Sequence, residues 1–453
     1  MTSTINSHKA RIIGFGVLAA LIAACAAGPT PELPDPPAPG TPPIAGGTPP
    51  ATEPAPSTPA GMVFVPSGNE QIDEWRSDFA SRALASGRSQ QSVRLILDGL
   101  TPMDRWLSPS FNVAGTGIAD QAEFAKPIWE YVDDTVSATR KRTGAEKLTQ
   151  NSALFDALEA RYGVDRGVLA GIWGMETSFG GFIGTDDAAN VLANMAVEGR
   201  RKSFAEGELI ALMKLLELGV VERGDLVSGW AGAMGQTQFM PSTFLAHAED
   251  FTGDSKIDVW NDPADALASA ANYLAVSGYK TGQPWGIEVS VPPQFDFALA
   301  DGTRRDMAFW VNKGLVPATA GPFNTAGANS AELWLPAGAR GPKYLLFDNF
   351  NAFKTYNRAD SYALSVGLLA DGVTGKPGIV EPWPRDIQPL SVADIKRLQA
   401  GLNRLGYDAG PVDGIAGRGT KGALRRFQSD RGFVADGYPT GEMLAYVEGA
   451  SGG

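Results

Sequence analysis

The chain has 453 residues, 43% hydrophobic and 19% charged, with a formal net charge of −12. This length and composition are typical of a folded protein with two or three domains and exclude a chain that is disordered throughout. An acidic balance without a basic stripe argues against a nucleic-acid-binding protein. The single cysteine, Cys25, excludes an internal disulfide, and two histidines exclude a histidine-rich metal site. Any chemistry would therefore depend on carboxylates, hydroxyls and amides.

Residues 1–25 contain a short basic region followed by the apolar run IIGFGVLAALIAA, which is too short to span a membrane comfortably. We interpret this segment as an export signal. It ends in Ile-Ala-Ala-Cys25, which resembles the lipobox of bacterial lipoproteins. The resemblance implies acylation of Cys25, and Ala26 after it implies the outer membrane, facing the periplasm. The alternative is a cleaved signal that releases a soluble periplasmic protein.

Residues 26–62 hold thirteen prolines among small residues, which predicts a disordered or polyproline-like tether. The folded body is expected at 63–375. Its residues up to about 277 have the apolar spacing of helices, including an amphipathic helix at 151–162 that Gly163 ends. Alternating segments at 283–347 predict a small strand-containing insert, and a last helix is predicted at 358–370.

A second boundary lies in the proline-rich segment 376–390, which contains Pro382, Trp383 and Pro384. After this linker, residues 391–449 show three short apolar stripes, each long enough for one helix. Thr420 and Thr440 are predicted N-caps of the second and third helices. The sequence therefore predicts a small three-helix C-terminal domain near the lower size limit for independent folding.

The stretch GIWGMETSFG at 171–180 places one carboxylate, Glu176, on the apolar face of a helix. Asp165 is the predicted N-cap, and Ile172 and Trp173 precede Glu176 by four and three residues, so the glutamate points inward. A desolvated carboxyl group resists ionisation, which keeps it available as a general acid. Gly180 and Gly181 are expected to end the helix. The alternative is a structural glutamate paired with an arginine.

Two further stretches carry polar side chains suited to sugars. In AGAMGQTQFMPSTF at 231–244, small residues allow a ligand to approach, and Gln236 and Gln238 offer donors and acceptors for hydroxyl and acetamido groups. Tyr356 and Tyr362 could stack on sugar rings and hydrogen-bond to their edges. Ordinary packing is the alternative for each of these residues taken alone.

Taken together, these motifs resemble the lytic murein transglycosylase family, of the membrane-bound transglycosylase B type. The resemblance covers most of residues 65–375. The motifs that carry it are GIWGMETSFG around Glu176, GRRKSF at 199–204, WAGAMGQTQFMPS at 230–242, ANYL at 271–274 and YNRADSY at 356–362. The segments LQAGLNRLGY, DGIAGRGT and ALRRFQ within 391–449 resemble a peptidoglycan-binding domain. Both resemblances indicate that the protein acts on the same polymer, peptidoglycan.

The resemblance implies a mainly α-helical, lysozyme-like α+β catalytic domain with a small strand-containing insert. It also implies cleavage of the bond between N-acetylmuramic acid and N-acetylglucosamine without water, leaving 1,6-anhydromuramic ends. Glu176 takes the catalytic position, first as acid and then as base. No cofactor is required, and the expected partners are glycan strands of peptidoglycan. A lysozyme-type hydrolase and a non-catalytic wall anchor remain as alternatives.

The resemblance also assigns residues to the substrate. Gln238, Tyr273, Tyr356, Asn357 and Tyr362 match substrate-contacting positions, Arg200 and Arg201 match a basic pair that meets anionic groups, and Met234 is expected in the cleft wall. The family often has a serine directly before the aromatic residue of the AGAMG motif. Gly229 stands there in this chain, and Ser228 is the nearest candidate to replace that serine.

The loop after the AGAMG motif has oxygen-bearing residues at alternate positions, the spacing of a calcium loop. The candidate ligands are Asp250, Thr252, Asp254 and Lys256. Ser255 replaces the usual glycine and Asn261 the usual glutamate, so weak structural calcium binding is expected at most. The alternative is an acidic turn in solvent.

Overall fold

The computed structural model describes residues 62–107 and 126–452. The predicted export signal and lipobox at 1–25, including Cys25, lie outside these residues, as does the tether predicted at 26–62 except for its last residue. Within the described ranges, no helix is long and apolar enough to cross a membrane.

Helices dominate the body, as the apolar periodicity predicts. Those before the insert are α1 (Glu70–Ala85), α2 (Gln90–Leu97), α3 (Asp104–Leu107), α4 (Ile128–Thr135), α5 (Ala138–Gln150), α6 (Ser152–Tyr162), α7 (Arg166–Thr177), α8 (Ala188–Glu198), α9 (Lys202–Leu218), α10 (Pro241–His247) and α11 (Pro263–Val276). Those within and after it are α12 (Met307–Asn312), α13 (Asp348–Phe353) and α14 (Asp360–Val373).

Local capping explains most of these boundaries. The predicted helix at 151–162 is α6, which ends at Gly163 with φ of 69°, a left-handed conformation that suits glycine. The Asp165 side chain accepts a hydrogen bond from the Gly167 N–H and so begins α7, as predicted. The predicted last helix is α14, shifted about two to three residues toward the C-terminus.

The main hydrophobic core joins the helices on either side of the insert in the sequence. Helix α14 packs along α7 more extensively than any other pair of described elements; α5 packs on both of these helices, and α4 packs on α14. Three glycines of α7 permit this close approach: a Cβ on Gly171 would lie 2.9 Å from the Val366 carbonyl oxygen of α14. The chain segments before and after the insert therefore form one body.

The predicted insert is a five-stranded antiparallel sheet with its own core. Its strands are β3 (Gly286–Ser290), β4 (Arg304–Asp306), β5 (Val316–Pro317), β6 (Ser330–Trp334) and β7 (Tyr344–Leu346), in the order β4-β6-β7-β3-β5. Earlier in the chain, β1 (Asp186–Asp187) pairs with β2 (Val227–Ser228). Alternation in β6 buries Ala331 and Leu333 against Trp310.

The C-terminal unit contains α15 (Val392–Arg404), α16 (Arg418–Asp430) and α17 (Gly441–Ser451) around a third core. Thr440 caps α17 as predicted. The predicted cap at Thr420 is wrong, because α16 begins at Arg418 and the buried Thr420 hydroxyl instead contacts the Ala409 carbonyl oxygen. A hydroxyl side chain inside a small core can form a hydrogen bond with the backbone of a neighbouring loop instead of capping its own helix.

Residues 376–390 contain no helix or strand and lie against the sheet. Glu288 of β3 accepts hydrogen bonds from the backbone N–H groups of Val380 and Glu381 at 2.8 and 2.7 Å. Lys343, buried beside β7, donates to the Glu381 carboxylate at 2.7 Å. The segment between the body and the C-terminal unit is therefore fastened to the insert.

Candidate active site

Helix α7 places Glu176 in its last turn, where only 7% of the residue is exposed. Every residue from Gly167 to Thr177 is buried. The apolar face and the glycines that meet α14 leave this helix no solvent side, so the glutamate is directed into the interior of the body. The sequence-based prediction of an inward carboxylate on α7 agrees with this geometry.

The turn after Glu176 differs from the expectation that Gly180 and Gly181 end the helix. Helix α7 stops at Thr177, and Ser178 and Phe179 adopt left-handed conformations with φ of 52° and 64°. This conformation costs a residue with a Cβ about 1–2 kcal/mol. The cost is offset by the Phe179 ring, which lies so close to Gly144 and Gly174 that a Cβ on either would come within 2.9 Å of it.

Tyr362, in the first turn of α14, is the direct partner of the glutamate. Its hydroxyl donates a 2.5 Å hydrogen bond to Glu176 Oε1, and the tyrosine is fully buried. Burial, followed by the negative charge of Glu176 and this hydrogen bond, raises the pKa of Tyr362 well above its ordinary value. The phenol therefore keeps its proton and remains a hydrogen-bond donor to the carboxylate.

Two further tyrosines extend the cluster. Tyr356 and Tyr273 have ring centroids 5.4 Å apart, and Phe239 lies 6.0 and 5.6 Å from them. The Tyr356 hydroxyl is buried without a hydrogen-bond partner, and burial and the charge of Glu176 raise its pKa well above the ordinary value. Tyr273 donates to the Thr355 carbonyl oxygen at 3.1 Å. Thus Glu176 and three of the predicted tyrosines form one group.

The loop of the AGAMG motif lies against this group through Phe239. Met234 and Phe239 exchange backbone hydrogen bonds of 2.8 and 2.9 Å, which close the loop between them. Gln238 is held in a left-handed conformation with φ of 51°, and its amide nitrogen donates to the Gly235 carbonyl oxygen at 2.9 Å. Strained backbone of this kind is often found at functional sites.

The two glutamines of the motif have different surroundings. Gln236 accepts a hydrogen bond from the Trp173 indole at 3.0 Å and donates to the Trp260 carbonyl oxygen at 3.2 Å. Its amide is thus used inside the protein, and the interpretation of Gln236 as a sugar ligand is wrong. The side-chain type alone could not distinguish it from Gln238.

Three of the assigned residues are buried behind the site. Met234 and Ser228 are fully buried. Met234 belongs to the main hydrophobic core, and the Ser228 hydroxyl contacts the Gly229 carbonyl oxygen at 3.0 Å. A Cβ on Gly229 would lie 3.0 Å from the Gln238 side-chain oxygen. The Asn357 side chain accepts from the Ala359 N–H at 2.9 Å, which shapes the turn before α14.

Arg200 and Arg201 are positioned by contacts at the junction of α8 and α9. Arg200 is paired with Glu198, and the Arg201 guanidinium lies 4.0 Å from the centre of the Phe204 ring. Arg201 also contributes positive charge near Glu208, although burial still raises the pKa of that glutamate. The arginine pair is thus held by contacts different from those that assemble the tyrosine cluster.

The predicted calcium loop is organised by its own hydrogen bonds. Asp250 accepts from the N–H groups of Gly253 and Ser255 at 2.6 and 2.8 Å, and Asp254 accepts from the Lys256 N–H at 2.9 Å. Within the described ranges, no three acidic, histidine or cysteine side chains form a group that could hold a metal. In this structure the Asp250 and Asp254 carboxylates therefore accept hydrogen bonds from backbone N–H groups of the same loop.

Two neighbours of the cluster were missed at the sequence level. Tyr131 of α4 is 2% exposed and lies close enough to Tyr362 to affect its pKa. Arg140 of α5 donates to the Ser178 hydroxyl at 3.3 Å, two residues beyond Glu176. Nothing in the local pattern singles out either residue, because each reaches the site only through tertiary packing, of α4 on α14 and of α5 on α7 and α14.

A mainly helical, lysozyme-like body with a buried glutamate beside a tyrosine cluster, followed by a three-helix unit, defines a class of peptidoglycan-cleaving enzymes. A family model described as the transglycosylase SLT domain matches residues 71–371, and a model for a peptidoglycan binding domain matches residues 391–446. The chain belongs to the transglycosylase SLT domain family, whose enzymes are lyases that cleave peptidoglycan.

Relatives agree with this assignment. Membrane-bound lytic murein transglycosylase B of Escherichia coli (strain K12) is 26% identical over 379 residues, which cover 81% of this chain and 98% of that protein. The crystal structure of SltB3 from Pseudomonas aeruginosa in complex with NAG-anhNAM-pentapeptide is 39% identical, with a TM-score of 0.77. That similarity covers 84% of this chain and all of that one.

A structure of the Escherichia coli lytic transglycosylase SLT35 in complex with calcium is 25% identical, with a TM-score of 0.53. The similarity covers 68% of this chain and 93% of the SLT35 chain. The predicted family and fold class are thereby confirmed, as is the enzyme class.

Proposed function

We propose that the chain cleaves the β-1,4 bond between N-acetylmuramic acid and N-acetylglucosamine and leaves 1,6-anhydromuramic ends, with Glu176 as the acid and then the base. The observation that carries this proposal is the hydrogen bond from Tyr362 to the buried carboxylate of Glu176. This tyrosine keeps its proton, so it can stabilise the carboxylate form that appears after the first proton transfer.

The two steps balance within the enzyme and its substrate. Protonated Glu176 gives its proton to the glycosidic oxygen as the bond from that oxygen to the anomeric carbon breaks. The Glu176 carboxylate then accepts the proton of the muramic 6-hydroxyl while that oxygen bonds to the anomeric carbon. The acid is regenerated, no water is consumed, and the substrate's own acetamido group stabilises the cation between the steps.

The same proposal assigns the substrate contacts. The faces of Tyr273 and Tyr356 would support sugar rings, and Gln238 and Asn357 would offer amides to acetamido or hydroxyl groups. Arg200 and Arg201 would attract anionic substrate groups, Met234 would support the cleft wall from behind, and Ser228 would replace the family's serine only if the loop at Gly229 rearranged. The SltB3 complexes with muropeptide fragments support a substrate of this class.

We also propose domains at 63–375 and 391–449, joined by a linker at 376–390, with the second domain holding the enzyme on the wall. The separate cores support this division. A lipid on Cys25 and a tether at 26–62 would place the body in the periplasm at the outer membrane. Calcium on the Asp250 loop would have a structural role.

The test is mass spectrometry of muropeptides released from purified cell wall by residues 61–453 and by the Glu176→Gln variant. We expect anhydromuramic ends with the parent and at least about a 10³-fold slower release with the variant, because one group supplies both proton transfers. Glu146→Gln is the matched control, since Glu146 is a half-exposed glutamate on α5, and it should retain the parental rate. Reducing ends would identify a hydrolase, and no release by the parent would favour a wall anchor.

A further inference from the structure

Arg140 joins the C-terminal ends of two helices beside the candidate active site. One guanidinium nitrogen donates to the carbonyl oxygen of Thr135, the last residue of α4, at 2.6 Å. The other terminal nitrogen donates to the hydroxyl of Ser178, the residue that caps α7, at 3.3 Å. Both helix ends carry partial negative charge, so a cation placed between them is favourable.

The hydrogen-bond partners of this arginine are neutral. A backbone carbonyl and a hydroxyl accept its hydrogen bonds, the neighbouring ionisable group is Tyr131, and burial lowers the pKa of the guanidinium. Arg142, two residues further along the same helix, is 65% exposed and faces the carboxylate of Glu146 at 3.9 Å. The contrast indicates that Arg140 is directed to the helix ends rather than to a surface ion pair.

The segment that Arg140 holds is the strained turn directly after Glu176. Ser178 and Phe179 are both left-handed there, and the Phe179 ring packs against Gly144, one helical turn after Arg140. Helix α5 therefore fixes this turn at two points, with a hydrogen bond to Ser178 and a close fit around Phe179. Movement of the turn would move Glu176, because only Thr177 separates the glutamate from it.

The other end of the contact reaches the partner of Glu176. Thr135, whose carbonyl Arg140 binds, has its hydroxyl 3.0 Å from that of Ser365 on α14. Ser365 lies three residues after Tyr362 on the same helix. Arg140 thus connects the turn that follows Glu176 with the C-terminal end of α4, which contacts α14, the helix that carries Tyr362.

We propose that Arg140 is a positioning residue, which holds Glu176 at its hydrogen-bonding distance from Tyr362 by tying the C-terminal ends of α4 and α7 together. This inference rests on the proposed role of Glu176 as the acid. It assigns no substrate contact to Arg140, which distinguishes it from an arginine that binds an anionic group of the glycan.

The experiment measures kcat and KM on glycan chains of defined length for Arg140→Ala, Arg140→Lys, Ser178→Ala and the double variant Arg140→Ala/Ser178→Ala. We expect kcat to fall about 10- to 100-fold in Arg140→Ala with KM within about twofold of the parent, because misplacement of a reacting group slows the chemical step. Arg140→Lys should recover part of the rate, since a lysine keeps the charge but not the fork that reaches both acceptors.

Non-additivity is the decisive result. If Arg140 acts through Ser178, the double variant will be no slower than Arg140→Ala, because the second substitution removes an interaction that is already lost. Arg142→Ala is the matched control and should keep parental kinetics. Thermal unfolding of each variant checks the fold, and Arg140→Lys and Ser178→Ala supply the test if Arg140→Ala does not fold.

A rise in KM with an unchanged kcat, or fully additive effects in the double variant, would overturn the inference. The outcome for the proposed function is separate. An active Glu176→Gln variant would overturn the role of Glu176 whatever Arg140 does. An inactive Glu176→Gln variant beside an Arg140→Ala variant with parental kcat would overturn only the inference about Arg140.

Discussion

The hydrogen bond between Tyr362 and Glu176 joins residues 186 positions apart in the sequence and buries both. A phenol whose pKa lies well above its ordinary value suits the proposed role of Glu176, in which the carboxyl group would alternate between two protonation states. It donates to the charged form and leaves the second carboxyl oxygen available to the substrate. This pairing explains why the tyrosine cluster, rather than a second acid, surrounds the proposed catalytic residue.

Tyr362→Phe should therefore lower kcat by roughly 10- to 100-fold, because a hydrogen bond to a charged group contributes about 1.5–3 kcal/mol and about 1.4 kcal/mol is a tenfold change in rate. The ring and its packing are retained, so the thermal midpoint should change little. Steady-state kinetics on purified wall fragments measures the effect. Tyr446→Phe on the C-terminal unit, where the tyrosine is 48% exposed, is the control. An unchanged kcat in Tyr362→Phe would contradict the proposed role.

At the scale of elements, the site depends on how closely α7 and α14 approach. Gly167 and Gly171 bring the α7 backbone against the Ala370 and Val366 carbonyl oxygens, at distances that leave no room for a methyl group. Because the two helices carry Glu176 and Tyr362 respectively, their separation sets the length of the hydrogen bond between them. Glycine is needed at these positions for close packing rather than for flexibility.

Gly171→Ala should destabilise the protein by roughly 1–3 kcal/mol, because the added Cβ would lie 2.9 Å from the Val366 carbonyl oxygen and force the helices apart. The same displacement should lower kcat. Gly207→Ala on α9 is a matched control, since nothing lies within 4 Å of its Cβ, and it should stabilise by about 0.5–1 kcal/mol. Denaturant unfolding and kinetics of both variants check the prediction. Equal effects at the two glycines would contradict it.

At the scale of the whole molecule, three cores are held together by polar contacts. The linker is bound to Glu288 and Lys343 of the insert, and the Ala339 N–H donates to Asp436 of the C-terminal unit at 2.9 Å. Arg385 in the linker also pairs with Asp133 of α4 at 2.7 Å. The C-terminal unit thus lies on the insert and is not a freely tethered domain in this structure.

Buried tyrosines throughout the molecule predict a loss of stability in alkali. Burial raises the pKa of Tyr162 and Tyr438 to about 12, and those of Tyr279, Tyr344, Tyr356 and Tyr362 are also raised. Above about pH 10 the unfolded tyrosines lose protons that the folded ones keep. The contribution of these tyrosines to the free energy of unfolding should therefore be constant below about pH 10. It should fall as pH rises toward about 12.

Denaturant unfolding between pH 8 and 11.5 measures this slope, and Tyr344→Phe tests its cause. The Tyr344 hydroxyl is buried without a partner, so its removal should leave stability at pH 8 unchanged or up to about 1 kcal/mol higher. The decline above pH 10 should be shallower in this variant. A decline as steep as that of the parent would show that Tyr344 does not contribute to the loss of stability.

Local patterns in the sequence determined most of the helices, several of their caps and the inward direction of Glu176. Periodicity and capping act over three or four residues, so Asp165 and Gly163 could be read correctly from the chain alone. The family motifs likewise marked Tyr356 and Tyr362 as neighbours of the site. The early end of α7 at Thr177 was not predictable, because it depends on the fit of the Phe179 ring against Gly144 of another helix.

Only the tertiary structure decided which side chains meet. It directs Gln236 to Trp173, brings Tyr131 near Tyr362, and places Arg140 at Ser178. These pairings depend on the separation and rotation of packed helices, which are set by long-range contacts such as those of Gly171 with Val366. The sequence thus determined the inward-facing Glu176 and the helix that carries it, whereas helix packing selected the groups that contact this glutamate and its helix.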